Sequence, residues 1–118
     1  MKNLRNSAVA LIAIIFTVSV ISMYAEDAKP LDAKQIFLDK KCMSCHSVDA
    51  LTIAKTNANS KAPDLSNIGS TENAEYFTKY LKKEVEHEGK KHGVAFKGTD
   101  DELTAVATWL ASLKVEKK

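Results

Sequence analysis

Lys40-Lys41-Cys42-Met43-Ser44-Cys45-His46-Ser47-Val48, KKCMSCHSV, holds both cysteines of the chain and one of its three histidines. Cys42, Cys45 and His46 have the C-x-x-C-H spacing of covalent haem attachment. Two thiols three residues apart reach the two vinyl groups on one edge of a porphyrin and add across them as thioethers. The next residue is then held beneath the ring, where the His46 imidazole binds iron. The spacing points to one covalently bound haem c. Other readings fare worse. A Cys42–Cys45 redox disulfide belongs in a β-α-β setting, and the sequence has no strand pattern. A zinc site needs further ligands, and adjacent Cys45 and His46 converge poorly on one ion. A chance match would have to fall just after an amphipathic helix in a chain with an export leader.

That helix is LDAKQIFLDKK, residues 31–41, with Asp32 as its N-cap. Ala33, Ile36, Phe37 and the Lys40 stem share one face at i, i+3, i+4, i+7 spacing. Further upstream, MKNLRN carries two positive charges and no acid, and Ala8 to Ile21 is almost entirely apolar. A basic start, a short apolar run and a small residue before polar sequence is the pattern of a secretory signal peptide. The run is shorter than the roughly 20 residues that span a bilayer. We expect a leader over 1–25, cleaved after Ala25, and a soluble domain over 26–118; an uncleaved N-terminal anchor is the alternative. Loss of Lys2 and Arg5 leaves the remaining bases equal in number to the 15 acids. No basic patch is interleaved with aromatics, so nucleic acid is not an expected partner. Export with this motif points to a periplasm.

Downstream of His46, residues 47–70 show no sustained period and read as a loop with one helical turn near Leu51. STENAEYFTKYLKKEVEHEG, residues 70–89, reads as a second helix capped by Ser70 or Thr71 and ended by Gly89. Its apolar side is Phe77, Tyr80, Leu81 and Val85. TDDELTAVATWLASLK reads as a third, with Thr99 and Glu102 in capping-box relation and a stripe of Leu103, Val106, Leu110 and Leu113. The expected class is all-α, with three main helices and a thin apolar core. A large flat cofactor would add the buried surface that so few apolar side chains lack.

These residues together resemble a small, single-haem class I cytochrome c, over Asp32 to Lys114. The resemblance rests on Phe37 ahead of C-x-x-C-H, then APDLSNIG, a middle helix, a ligand loop and a last helix ending TWLASL. It implies that the N- and C-terminal helices cross around the covalently bound haem. Ile36 and Phe37 would then meet Leu103, Val106 and Trp109 or Leu110. It also implies that the Pro63 carbonyl accepts the His46 Nδ1–H, fixing the imidazole tautomer, and that Leu65 and Ile68 lie against the haem.

The family's usual distal ligand is a methionine in the loop before the last helix, and here the chain departs from the pattern. Its methionines are Met1, Met23 and Met43. The first two fall in the leader, and Met43 sits in the attachment loop on the proximal side. KKHGVAF resembles the family's ligand loop with His92 in the methionine place. His87, Lys90 or Lys91, or an open iron are the alternatives; lysine would first have to lose its proton, against an ordinary pKa near 10.4. With two imidazoles on iron, the resemblance implies a one-electron carrier of comparatively low potential, not an enzyme. Its partners would be redox proteins whose identity no residue gives, and a monomer is expected. A haem-based gas sensor or peroxidase-like protein with an open distal site is the alternative. Lys40, Lys41, Lys82, Lys83, Lys90, Lys91 and Lys97 are candidates for steering an acidic partner.

Overall fold

The computed structural model describes residues 30–115. The leader expected over 1–25 lies outside the described residues. Three α-helices, α1 (Ala33–Asp39), α2 (Ala74–Leu81) and α3 (Asp100–Ser112), are joined by loops carrying short 3₁₀ turns. The all-α expectation holds. No helix among the described residues is long and apolar enough to cross a membrane.

α1 begins where the Asp32 side chain accepts from the Gln35 N–H. It stops because Lys41 turns left-handed at φ 58°, with its N–H donating to the Leu38 carbonyl. Ile36 and Phe37 are its buried residues. α3 begins with both halves of the capping box in place: Thr99 accepts from the Glu102 N–H, and Glu102 accepts from the Thr99 N–H. Its buried face is Leu103, Val106, Ala107 and Leu110, with Leu113 buried just beyond its end.

α1 packs on α3. The Phe37 and Trp109 rings meet at 5.3 Å and 60°, a tilted geometry that contributes beyond simple area burial. Lys40 reaches across to Glu102 at 3.0 Å. Burial of Phe37, 1% exposed, is worth about 1.5–3 kcal/mol. The 3₁₀ turn Ile68–Ser70 lies against the end of α3, where the Gly69 N–H donates to the Leu113 carbonyl at 2.9 Å.

α1 and α3 each end two residues short of the sequence reading, and both limits of α2 differ by more. α2 starts at Ala74, not after Ser70 or Thr71, because Asn73 is the residue whose side chain accepts from the Tyr76 N–H. Ser70 and Thr71 instead bond the Asn67 and Ile68 carbonyls. α2 also ends at Leu81, not at Gly89. Lys83 is left-handed at φ 63°, its N–H donates to Tyr80, and the Glu84 N–H donates to Lys79. That pair of bonds is a Schellman termination, with lysine in the position that glycine usually takes. Val85 therefore lies outside the helix. The loop over 47–70 contains core as well: Val48 and Ile53 pair as an isolated bridge and are both buried.

Candidate haem site

The left-handed Lys41 turns the chain out of α1 directly into Cys42. The Cys45 N–H and the His46 N–H both donate to the Cys42 carbonyl, at 3.2 and 3.0 Å. Cys42, Cys45 and His46 thus occupy one helical turn, the i, i+3, i+4 relation that stacks side chains on one face. Cys42 is half-buried and Cys45 exposed, and no disulfide joins them. Burial pushes the Cys42 thiol up, opposed by a backbone hydrogen bond.

The loop after His46 wraps this turn. Thr56 N–H donates to the Met43 carbonyl, Asn57 N–H to Ser44, and the Ser60 hydroxyl to Cys45. Met43 is partly buried against the core within the turn.

His46 Nδ1 lies 2.9 Å from the Pro63 carbonyl oxygen. A carbonyl only accepts, so Nδ1 carries the proton, and in the neutral imidazole the lone pair is then on Nε2. Pro63 is pinned in turn by its neighbour. Asp64 Oδ1 accepts from the Asp49 N–H at 2.8 Å, the Ser66 hydroxyl at 3.0 Å and the Ser47 hydroxyl at 3.2 Å; Oδ2 accepts from the Ser66 N–H. The Leu65 N–H donates to the Ser47 carbonyl. Burial alone would raise the Asp64 pKa, but these bonds together outweigh it and hold the carboxyl below its ordinary range. Burial also lowers the His46 pKa; the Pro63 bond opposes it, and His92 and Lys55 add to the lowering. The net lowering favours the neutral imidazole, the form that ligates a metal.

His92 sits in the loop between α2 and α3. Its Nδ1 lies 2.5 Å from the Val94 carbonyl, so Nδ1 is the donor and Nε2 is the ring nitrogen left for a metal. The His46 and His92 rings are nearly parallel, at 11°, with centroids 6.1 Å apart. Two nitrogen–metal bonds of about 2 Å plus half an imidazole ring at each end span about 6 Å. Spacing, tautomers and thiols fit a haem iron held between the two rings and tethered through Cys42 and Cys45.

Leu65 is buried in the core and Ile68 is partly buried against it. His87 is elsewhere engaged: its Nδ1 lies 3.1 Å from the Tyr76 hydroxyl and its backbone pairs with Lys90. Lys90 and Lys91 are exposed. Of the other candidate steering lysines, Lys40 is tied to Glu102, and Lys82 lies 3.8 Å from Asp100. Sequence reasoning missed Asp64 and the Ser47, Asp49 and Ser66 donors around it. A carboxylate set between Pro63 and Leu65 in a donor-rich loop was the available signal. It also missed the packing of Tyr80 on His92, 5.3 Å between ring centres.

A family model described as Cytochrome c matches residues 31–114. A search of curated proteins and a search of solved structures each give no match. With the matched span running from the N-cap region of α1 to the end of α3, the chain belongs to the cytochrome c family, whose members carry a covalently attached haem c and move electrons.

Proposed function

We propose that this protein is an exported, periplasmic one-electron carrier whose single haem c is held between His46 and His92, at comparatively low potential. The observation that carries the ligand reading is the pair of near-parallel imidazoles 6.1 Å apart, each with its Nδ1 on a backbone carbonyl. The bound haem supplies a one-electron iron couple. The chain's own residues do the rest. Cys42 and Cys45 tether the group, so that it stays with the polypeptide through every turnover. The Pro63 carbonyl and the Asp64 clamp fix the His46 ring and raise its donor strength. His92 would supply a second nitrogen donor where the family usually places a thioether. Methionine raises a haem potential relative to stronger donors, so histidine lowers it. With both donors in place, little rearrangement of these residues would accompany a change of charge.

The proposed mature form is residues 26–118, formed by removal of a leader over 1–25. The partners are redox proteins. Exposed Lys41, Lys83, Lys90, Lys91 and Lys97 are candidates for steering an acidic one. The test of the ligand reading is carbon monoxide. The reduced protein is expected to resist it, and His92→Ala is expected to take it up rapidly. Rapid uptake by the unaltered protein would overturn the reading in favour of an open distal site.

A further inference from the structure

The two histidines proposed to hold the iron are supported very differently. His46 is fixed by Pro63 and the Asp64 clamp. His92 is tethered through its Nδ1 to Val94, two residues along the same loop, and Val94 is itself 66% exposed. Among the described residues, Tyr80 is the one ring besides His46 that packs on His92, at 5.3 Å and 67°.

Tyr80 does not stand alone. Tyr76 and Tyr80 lie four residues apart on α2, and their rings stack at 5.7 Å and 12°. His87 closes on both edge-on, at 6.2 Å from each. The Tyr76 hydroxyl lies 3.1 Å from His87 Nδ1 and 3.4 Å from the Glu86 carbonyl. His87 also opens a tight turn: it exchanges backbone hydrogen bonds with Lys90 across Glu88 at φ 49° and Gly89 at φ 77°. Two successive positive φ values make this a type I′ turn. It delivers the chain to His92 two residues later. The aromatic face of α2 therefore grips the ligand loop twice, at His87 and at His92.

We propose that Tyr80 is a positioning residue for the His92 imidazole, held in that role by Tyr76 and His87. The third histidine is then a latch on the distal loop and not a ligand. This inference rests on the reading of His92 as the distal ligand. The aromatic box restrains the departure of His92 from the iron, and with it the rate at which an external diatomic ligand enters the reduced protein.

The test uses the full haem-loaded protein. It measures the carbon monoxide uptake rate of the reduced form, the electron paramagnetic resonance g-values of the oxidised form, and Tm. Tyr80→Leu, which removes the ring, is expected to speed uptake roughly three- to tenfold and to shift the g-values. Tyr80→Phe keeps the ring and is expected to stay close to the unaltered protein. Tyr76→Phe, which deletes the latch hydroxyl, is expected to speed uptake roughly two- to tenfold. His92→Ala is expected to be fast whatever stands at position 80. If His92→Ala is fast while Tyr80→Leu and Tyr76→Phe keep the original rate and g-values, the positioning role is overturned and the ligand reading stands. If His92→Ala leaves uptake unchanged, the ligand reading itself fails. Should Tyr80→Leu not fold, Tyr76→Phe decides the matter, since it leaves every ring in place.

Discussion

Gly69→Ala is expected to be one of the most damaging single-methyl additions in the chain. A Cβ at Gly69 would stand 2.6 Å from the Ala111 carbonyl carbon, 2.9 Å from the Leu110 oxygen, and closer still to the Ala111 oxygen. These are backbone atoms at the end of α3, so no rotamer change relieves the clash. The 3₁₀ turn and the helix end would have to separate by about an ångström. That movement breaks the Gly69 N–H to Leu113 bond, worth about 1 kcal/mol. It also disturbs the packing around Leu110 and Leu113, at a further cost of about 1–3 kcal/mol. The total is about 2–4 kcal/mol, which in a domain of this size lowers Tm by about 10–25 °C. The assay is urea and thermal unfolding followed by circular dichroism, with two other glycines as controls. Gly93→Ala meets nothing within 4 Å and carries no positive φ, so it is expected to change stability by less than about 0.5 kcal/mol. Gly89→Ala has open space but φ 77°, and is expected to cost about 1 kcal/mol from backbone strain alone. Equal stabilities for Gly69→Ala and Gly93→Ala would refute the argument that close backbone approach holds this turn to α3.

Three further outcomes follow from other parts of the molecule. Asp64→Asn weakens the clamp behind Pro63, and is expected to shift the haem potential as well as lower stability, as redox titration beside urea unfolding would show. The Asp64 pKa is depressed in the folded state, so its contribution is present above the ordinary carboxylate pKa and is lost as pH falls through the lowered value. The acid limb of the stability profile should therefore be shallower in Asp64→Asn; an unchanged limb would discard the clamp. Phe37→Ala, at the α1–α3 contact, is expected to cost about 3–5 kcal/mol in chemical unfolding, and a loss below 1 kcal/mol would deny that contact its role. Thr99→Ala removes half of the α3 capping box and is expected to cost about 1 kcal/mol, measured the same way.

What the sequence displayed best was what local rules decide. The Asp32 cap, the Thr99–Glu102 box and the stripe Leu103, Val106, Leu110 and Leu113 follow from spacing and side-chain chemistry confined to a few residues. α2 was legible as a helix but not in its limits. Ser70, Thr71 and Asn73 are all competent caps, and only the docking of the Ile68–Ser70 turn on α3 removes the first two. Its end was hidden because Lys83 adopts a left-handed conformation where glycine is the usual signal. The burial of Val48 and Ile53 was not legible either. It comes from the loop being bonded to the attachment turn, through Thr56, Asn57 and Ser60, and that long-range arrangement leaves no period in the chain. In the site, C-x-x-C-H reads directly because covalent geometry dictates it. The Tyr76–Tyr80–His87 cluster does not, because it exists only once the type I′ turn has folded back on α2.

The proposed ligand set stands or falls with the donor on the second face of the iron. The low-temperature electron paramagnetic resonance and near-infrared spectra of the oxidised, haem-loaded protein report that atom directly. The prediction is a purely low-spin iron with two imidazole donors, replaced by another species in His92→Ala. A high-spin iron, or a histidine–amine signature that survives His92→Ala, would contradict it.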